Sequence, residues 1–231
     1  MRLITLLVVV AAATVAILHF TFPTAAAVGC PSCYGFFHIA DGIYVESTMP
    51  SDRGMAAKAT VEAARARVRT FYGDLQSRPR VLLCVTDTCY RPLGGGSRGV
   101  TLLDHALILS PRGADTAIAA HELAHVELHK RIALWATLLR SIPQWFDDGL
   151  AVVVSDDPRY LAPGPNRCRV EPGGDLPNSR AAWIETTETT GLYARAACKV
   201  SHWLDTHGGS AGLLRLVASG TYQDLAPGTR P

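Results

Sequence analysis

The chain has 231 residues, of which 48% are hydrophobic and 18% are charged, and its formal net charge at pH 7 is +2. This composition excludes an intrinsically disordered chain, and the length allows one well-packed domain or two small ones. The small net charge gives no support to a nucleic-acid partner, and the basic run at residues 63–70 is typical of the solvated side of a helix.

The N-terminal segment has the pattern of an export signal. Arg2 precedes an unbroken apolar run at residues 3–18, and three alanines follow at residues 25–27. This order predicts a signal peptide that is cleaved after Ala27. The apolar run is shorter than the roughly 20 residues that cross a bilayer comfortably, but an uncleaved signal anchor is an alternative, and lipid attachment at Cys30 is another.

Six cysteines also fit an exported protein, because disulfides persist in oxidising compartments. Proximity along the chain predicts three pairs, which are Cys30–Cys33, Cys84–Cys89 and Cys168–Cys198. The predicted organisation is a signal peptide or anchor at residues 1–27, one folded domain at 28–222 and a tail at 223–231. We expect a protein that is secreted or periplasmic, or associated with a membrane through its N-terminal segment. Its oligomeric state is not predicted.

Periodicity separates a mixed first half from a helical second half. The first half contains a strand at 42–47, a helix at 55–75, a strand at 80–86, a glycine-rich loop at 91–99 and a hairpin at 100–110. The second half contains a helix at 116–130, an apolar segment at 132–139, a helix at 144–153, a loop at 158–178, and helices at 192–206 and 211–219. This order predicts an α+β domain with one small sheet.

The helix at 116–130 carries the strongest chemical signal, because His121, Glu122 and His125 form the pattern H-E-x-x-H. At about 100° per residue, the two histidines lie about 40° apart on one helix face, so both imidazoles can reach one metal ion. Glu122 lies roughly 60° further round the helix, beside the open side of such an ion. The pattern therefore predicts a metal site with an adjacent carboxylate that acts as a base.

Two further residues of this helix are excluded from that site. His129 lies about 12 Å along the helix axis from His121, too far for both to bind one tetrahedral ion, and is expected to be exposed or in a second layer. Glu127 falls on another face and is expected to be solvated or paired with Arg131.

A third metal ligand is expected downstream, because a catalytic zinc usually has three protein ligands and a water. Asp147 and Asp148 stand out, since they lie between Trp145-Phe146 and an apolar helical stretch, where an unbound acid is costly to bury. Either aspartate is a candidate.

The two segments together resemble the gluzincin branch of the zincin peptidases, most closely its small peptidase-MA-like proteins. In that family H-E-x-x-H is followed by W-x-x-E-G-[LF]-A, matched here by Trp145 and by residues 149–151, over a region of about residues 107–220. The resemblance implies a zincin-like fold in which an edge strand lies beside the H-E-x-x-H helix and a mostly helical part follows. Asp148 stands where the family has glutamate, which requires its helix to approach the metal more closely.

The resemblance implies a zinc peptidase that acts on peptides or proteins. His121, His125 and Asp148 would bind Zn²⁺, with Asp147 as the alternative third ligand, and Glu122 would be the general base. Tyr193 is the candidate oxyanion donor, with a packing role as the alternative. Residues 105–110 are the candidate edge strand for peptide binding, with a core strand as the alternative.

A second class of function is a zincin-like domain outside the cytoplasm that binds metal or partners without catalysis. The shorter Asp148 favours it, whereas the intact Glu122 favours the enzyme.

Overall fold

The computed structural model describes residues 21–139, 141–164, 167–171, 173–187 and 191–225. Most of the expected signal segment and of the expected tail lies outside these ranges. Within them the chain is an α+β protein with one mixed five-stranded sheet, which confirms the predicted class. None of the helices in this described part is both long and apolar enough to cross a membrane.

The sheet has the strand order β1-β2-β3-β5-β4. Its strands are β1 (Phe36–Ala40), β2 (Ile43–Glu46), β3 (Arg80–Leu83), β4 (Gly99–Leu102) and β5 (Ala106–Leu109). The three central strands pair in parallel, and both outer strands pair antiparallel to their neighbours. All four residues of β5 are buried, as expected for a central strand that is covered on both faces.

Three helices of the described residues lie in the first half of the chain, among the strands, and the others form its second half. They are α1 (Pro23–Gly29), α2 (Ser51–Tyr72), α3 (Asp87–Gly94), α4 (Thr116–Arg131), α5 (Leu134–Leu138), α6 (Gln144–Ser155), α7 (Arg180–Thr187), α8 (Leu192–His207) and α9 (Gly209–Ser219). Helix α4 packs against α2, α6, β4 and β5, so it is buried from Ile118 to Leu128. Helix α8 packs on the other side of α6.

Helix α2 confirms the helix that was predicted from the spacing of apolar residues. The positions with that spacing face the core, and they are Ala57, Val61, Ala64, Val68 and Tyr72. The predicted loop at 91–99 is wrong at its start, because α3 continues to Gly94. Thr86 caps that helix by accepting a hydrogen bond from the amide of Cys89, a start signal that the glycine run obscured.

The predicted hairpin is confirmed as β4 and β5, but the candidate edge strand at 105–110 is wrong. Strand β5 lies between β3 and β4, so β4 is the outer strand, and it is β4 that lies along helix α4. The cause is the continuous apolar run of β5, whose side chains fill both faces of the sheet. Strand β1 and helix α7 were not predicted.

All three predicted disulfides are present: Cys30–Cys33, Cys84–Cys89 and Cys168–Cys198. They indicate an oxidising, extracellular type of environment. A sulfur in a disulfide has no thiol left for a thioether-linked lipid, so this state of Cys30 disagrees with lipid attachment there. Ala27 is buried within α1, which packs against α3.

Candidate metal centre

The histidine pair projects from the buried middle of helix α4. The helix begins at a strong cap, since Asp115 accepts hydrogen bonds from the amides of Ala117 and Ile118. One turn apart, His121 and His125 direct their Nε2 atoms at each other across 3.1 Å. Both side chains are about nine-tenths buried, so these nitrogens meet in a largely dry site.

Asp148 completes the cluster from helix α6. Its Oδ1 atom lies 3.6 Å from Nε2 of His121 and 3.7 Å from Nε2 of His125. Ligands at about 2.1 Å in a tetrahedron are separated by about 3.4 Å, so the three distances in this triangle suit one zinc-sized ion. Two imidazoles and a carboxylate are also a donor set that zinc accepts.

Gln144 holds the second oxygen of Asp148. Its amide Nε2 donates a hydrogen bond of 2.7 Å to Oδ2, which leaves Oδ1 directed at the histidines. Burial alone would raise the pKa of Asp148, but hydrogen bonds from His121 and His125 lower it to about 2. The carboxylate is therefore ionised, as a metal ligand must be.

Asp147 contacts the side of the His125 ring that faces away from the Nε2 atoms of His121 and His125. Its Oδ1 atom is 2.6 Å from Nδ1 of His125, and its Oδ2 atom is 3.2 Å from Nε2 of His129. Burial would raise the pKa of Asp147, but the two histidines hold it far below its usual range. An ionised Asp147 accepts a hydrogen bond from Nδ1–H of His125. In that tautomer the lone pair of Nε2 is free to bind metal.

The side chain of Glu122, on helix α4, points toward the outer strand β4. Thr101 Oγ1 donates a hydrogen bond of 2.8 Å to its Oε2 atom. Gly99 leaves room for the carboxylate, because a Cβ atom there would lie 2.6 Å from Cγ of Glu122. Glu122 as a residue is 8% exposed, and it borders the same cavity as the two histidines.

Tyr193, at the start of helix α8, faces this cavity from the opposite wall. Its ring centroid lies 6.1 Å from that of His121, and its ring stacks on Tyr160 and meets Trp183 edge to face. Burial, and then the charge of Asp148, raise the pKa of Tyr193, so its hydroxyl keeps its proton and can donate a hydrogen bond. These ring contacts also fit the alternative packing role.

The remaining residues of the helix have other roles than ligation. His129 is in a second layer, as expected. The expectation that Glu127 is solvated is wrong, since its side chain is completely buried; its predicted pairing with Arg131 is confirmed. Glu127 also accepts hydrogen bonds from Gln76 and Ser77, in the segment that follows α2, and so ties that segment to α4.

Gly149 brings helix α6 close to helix α8. A Cβ atom at this position would lie 2.7 Å from the carbonyl oxygen of Ala196. Asp148 and Gly149 are adjacent on α6 and lie about 100° apart around the helix, so one faces α4 while the other contacts α8.

Three residues of the site were not predicted from the sequence. Gln144 had a usable signal, because it lies one turn before Asp148 on the same helix. The sequence carried no such signal for Thr101 and Gly99, because only the pairing of β4 with β5 brings them to Glu122.

Other groups of potential ligands in the described part of the chain are weaker candidates. One contains Cys84 and Cys89 with Glu46, and another contains Cys168 and Cys198 with His202. Both cysteine pairs are disulfides, so they lack the thiolates that bind metal. A further group contains His125, His129 and Asp147, which border the same cavity as His121 and Asp148. The group of His121, His125 and Asp148 is preferred because it contains both histidines of the H-E-x-x-H pattern.

Comparison of the chain with protein-family models, with curated proteins and with solved structures finds no match.

Proposed function

We propose that the protein is a zinc-dependent peptidase of the gluzincin type, with a zincin-like domain. One observation carries the proposal: two histidine nitrogens and one carboxylate oxygen converge at tetrahedral spacing beside the carboxylate of Glu122. The resemblance of the two motifs to peptidase-MA-like proteins supports the same assignment. A purely structural cluster would not require a buried Glu122 that also borders the cavity.

Zinc bound by His121, His125 and Asp148 would lower the pKa of a bound water to near 7 and polarise a substrate carbonyl. Glu122 accepts the proton of the attacking water and returns it to the leaving amine. The hydrogen bond from Thr101 orients the carboxylate for both transfers. Tyr193 donates a hydrogen bond to the carbonyl oxygen as negative charge develops on it.

The outer edge of β4 offers a place for an extended peptide. The amide of Ser110 donates to the carbonyl of Arg98, which makes 98 and 110 a hydrogen-bonded pair of the hairpin. Because such pairs alternate, Gly99 and Thr101 direct their backbone groups away from β5. A substrate that pairs with this edge would pass directly beside Glu122.

The decisive experiment compares the wild type with Glu122→Gln. Zinc content is measured by atomic emission, and cleavage is measured with casein and with a peptide library. We expect one zinc per chain in both proteins and a loss of cleavage of about 10²- to 10⁴-fold in the variant. One bound zinc without Glu122-dependent cleavage would favour the alternative, a zincin-like binding protein, and absence of zinc would contradict both.

A further inference from the structure

The cavity beside the candidate metal centre runs along helix α4. Five residues that border the cavity recur every three or four positions along α4 and just past its end. They are Ile118, His121, His125, Leu128 and Ile132. This spacing is one helix face, about 21 Å long, and the metal centre lies near its middle. A cleft of that length accommodates about six residues of extended peptide.

Strand β4 runs beside this face in the same direction as the helix. Within the strand, the Thr101 hydroxyl lies within hydrogen-bond distance of both the backbone carbonyl oxygen and the Oε2 atom of Glu122. Just beyond its end, the carbonyl oxygen of Leu103 lies 3.4 Å from Nδ1 of His129. Arg98, directly before the strand, therefore lies toward the N-terminal end of α4, and Leu103 lies toward its C-terminal end.

The end of the cleft near the start of α4 is cationic. Arg98 and Arg112 both border the cavity, and neither forms an ion pair with an acidic side chain of the described residues. Their relative position is fixed, because the Ser110 amide donates to the Arg98 carbonyl and Gly113 packs directly on that carbonyl. Arg159 also borders the cavity, but the buried Asp157 compensates its charge. Arg180 borders the cavity from α7, which packs against α6 and α8.

The other end of the cleft contains a cluster of apolar side chains. Leu128, Ile132 and Ile142 border the cavity there and are each less than a tenth exposed. Helix α5 closes this end with Ala136. It also presents Trp135, which is 71% exposed, so the apolar surface continues beyond the cavity.

We infer that the preferred substrate carries a carboxylate on one side of the scissile bond and a bulky apolar side chain on the other. The carboxylate pairs with Arg98 and Arg112, and the apolar side chain fills the end near Ile132 and Ile142. Arg98 and Thr101 are three residues apart on an extended strand, which is about 10 Å, so the carboxylate lies about three residues from the scissile bond. This inference rests on the proposed peptidase function.

The test uses fluorogenic peptides in matched pairs, with glutamate or glutamine three residues from a central bond and leucine or phenylalanine on the other side. Both chain orders are made, each with a free or an amidated C-terminus, to separate a side-chain carboxylate from a terminal one. For one chain order we expect the carboxylate peptide to be cleaved with about fivefold or higher kcat/KM, and this preference to weaken at high salt.

Substitution of both arginines, Arg98→Gln with Arg112→Gln, is expected to reduce the preference to about one. Two single variants are matched controls that should retain it: Arg180→Gln, which lies in the same cavity on α7, and Arg69→Gln, which lies on the exposed side of α2. The arginines at 98 and 112 are exposed, and the single substitutions Arg98→Gln and Arg112→Gln provide the test if the double variant fails to fold.

Binding of the same peptides to zinc-loaded Glu122→Gln, measured by fluorescence anisotropy, separates this inference from the proposed function. Preferential binding of the carboxylate peptides with no cleavage by the wild type would support the inference and contradict the peptidase. Cleavage without a carboxylate preference, or a preference that survives the double substitution, would overturn the inference and leave the peptidase intact.

Discussion

The Oδ1 atom of Asp147 lies 2.6 Å from Nδ1 of His125, on the edge of the imidazole that faces away from His121. The same carboxylate reaches His129 through its other oxygen. Asp147 and Asp148 are adjacent in sequence, yet they contact opposite edges of the His125 ring. Under the proposed function they have different tasks: Asp148 would bind the metal, and Asp147 would orient His125.

Substitution of the two aspartates should therefore have unequal effects on zinc binding. Asp147→Asn is expected to weaken zinc affinity about 10- to 100-fold, because His125 loses its orienting carboxylate. Asp148→Asn removes a ligand and is expected to weaken it much further. Competition with a chromophoric chelator measures both affinities, and a larger loss in Asp147→Asn would reverse the assignment.

Gly99 should be intolerant of a side chain for a reason specific to catalysis. The Cβ atom of Gly99→Ala would displace the carboxylate of Glu122, whose Oε1 atom would lie only 2.7 Å away. We expect kcat to fall about 100-fold, since a base displaced by about 1 Å loses its alignment. Zinc content should not change.

Gly96→Ala is the matched control, because a Cβ atom there meets nothing within 4 Å and Gly96 borders the same cavity. Equal loss of kcat in the two alanine variants would show that the loop, and not the Glu122 contact, is responsible.

Glu127→Gln should reduce stability. The substitution removes the buried charge that pairs with Arg131 and accepts hydrogen bonds from Gln76 and Ser77. Because Asp74 still pairs with Arg131, we expect a loss of about 1 to 2 kcal/mol in the free energy of unfolding, mainly from the weakened buried hydrogen bonds. Urea denaturation measures the change, and Glu122→Gln on the same helix is the comparison. A similar stability for all three proteins would contradict the structural role of Glu127.

Glu46 should make stability depend on pH. Burial would raise its pKa, but hydrogen bonds from the Thr86 hydroxyl and from the amides of Val85 and Thr86 lower it below its ordinary value of 4.5. A lowered pKa stabilises the fold above that ordinary value, and the contribution is lost as the pH falls through the folded-state pKa.

At neutral pH we expect Glu46→Gln to lower the free energy of unfolding by about 1 kcal/mol, with solvent screening of this partly exposed group included. The difference from the wild type should shrink as the pH falls below 4.5. Denaturation midpoints over a pH series provide the measurement. A difference that stays constant into acid would contradict the role of the ionised carboxylate.

Tyr193→Phe separates hydrogen bonding from packing, because the ring that contacts Tyr160 and Trp183 is retained. Loss of an oxyanion donor typically lowers kcat about 10²- to 10³-fold. We expect that loss with an unchanged KM and full zinc content. An unchanged kcat would leave Tyr193 the packing role alone.

Short-range features of this chain were readable from sequence. The H-E-x-x-H spacing depends only on helix geometry, which is why His121 and His125 were expected on one face and His129 was expected to be too far from His121 to bind the same ion. The three disulfides join cysteines that follow one another in order along the chain, at separations of 3, 5 and 30 residues, and the core face of α2 follows directly from its periodicity.

Features that depend on strand order were not readable. The apolar pattern of residues 105–110 fits an outer strand or a central one, and only the parallel pairing of β5 with β3 decides between them. The position of Thr101 beside Glu122 follows from that order. Glu127 illustrates a second limit, since burial of a charged residue depends on partners that lie about fifty positions earlier in the chain.

The contact between Gly149 and Ala196 sets how closely helix α6 packs against α8. Helix α6 is already in backbone contact with α8, so it has no space to retreat from α4. The packing of α6 between α4 and α8 therefore sets the distance from the α6 backbone to the histidines. The aspartate side chain matches that distance. A side chain at 149 would push α6 away from α8 and toward α4, so the absence of one helps to set the distance at which Asp148 meets the histidines.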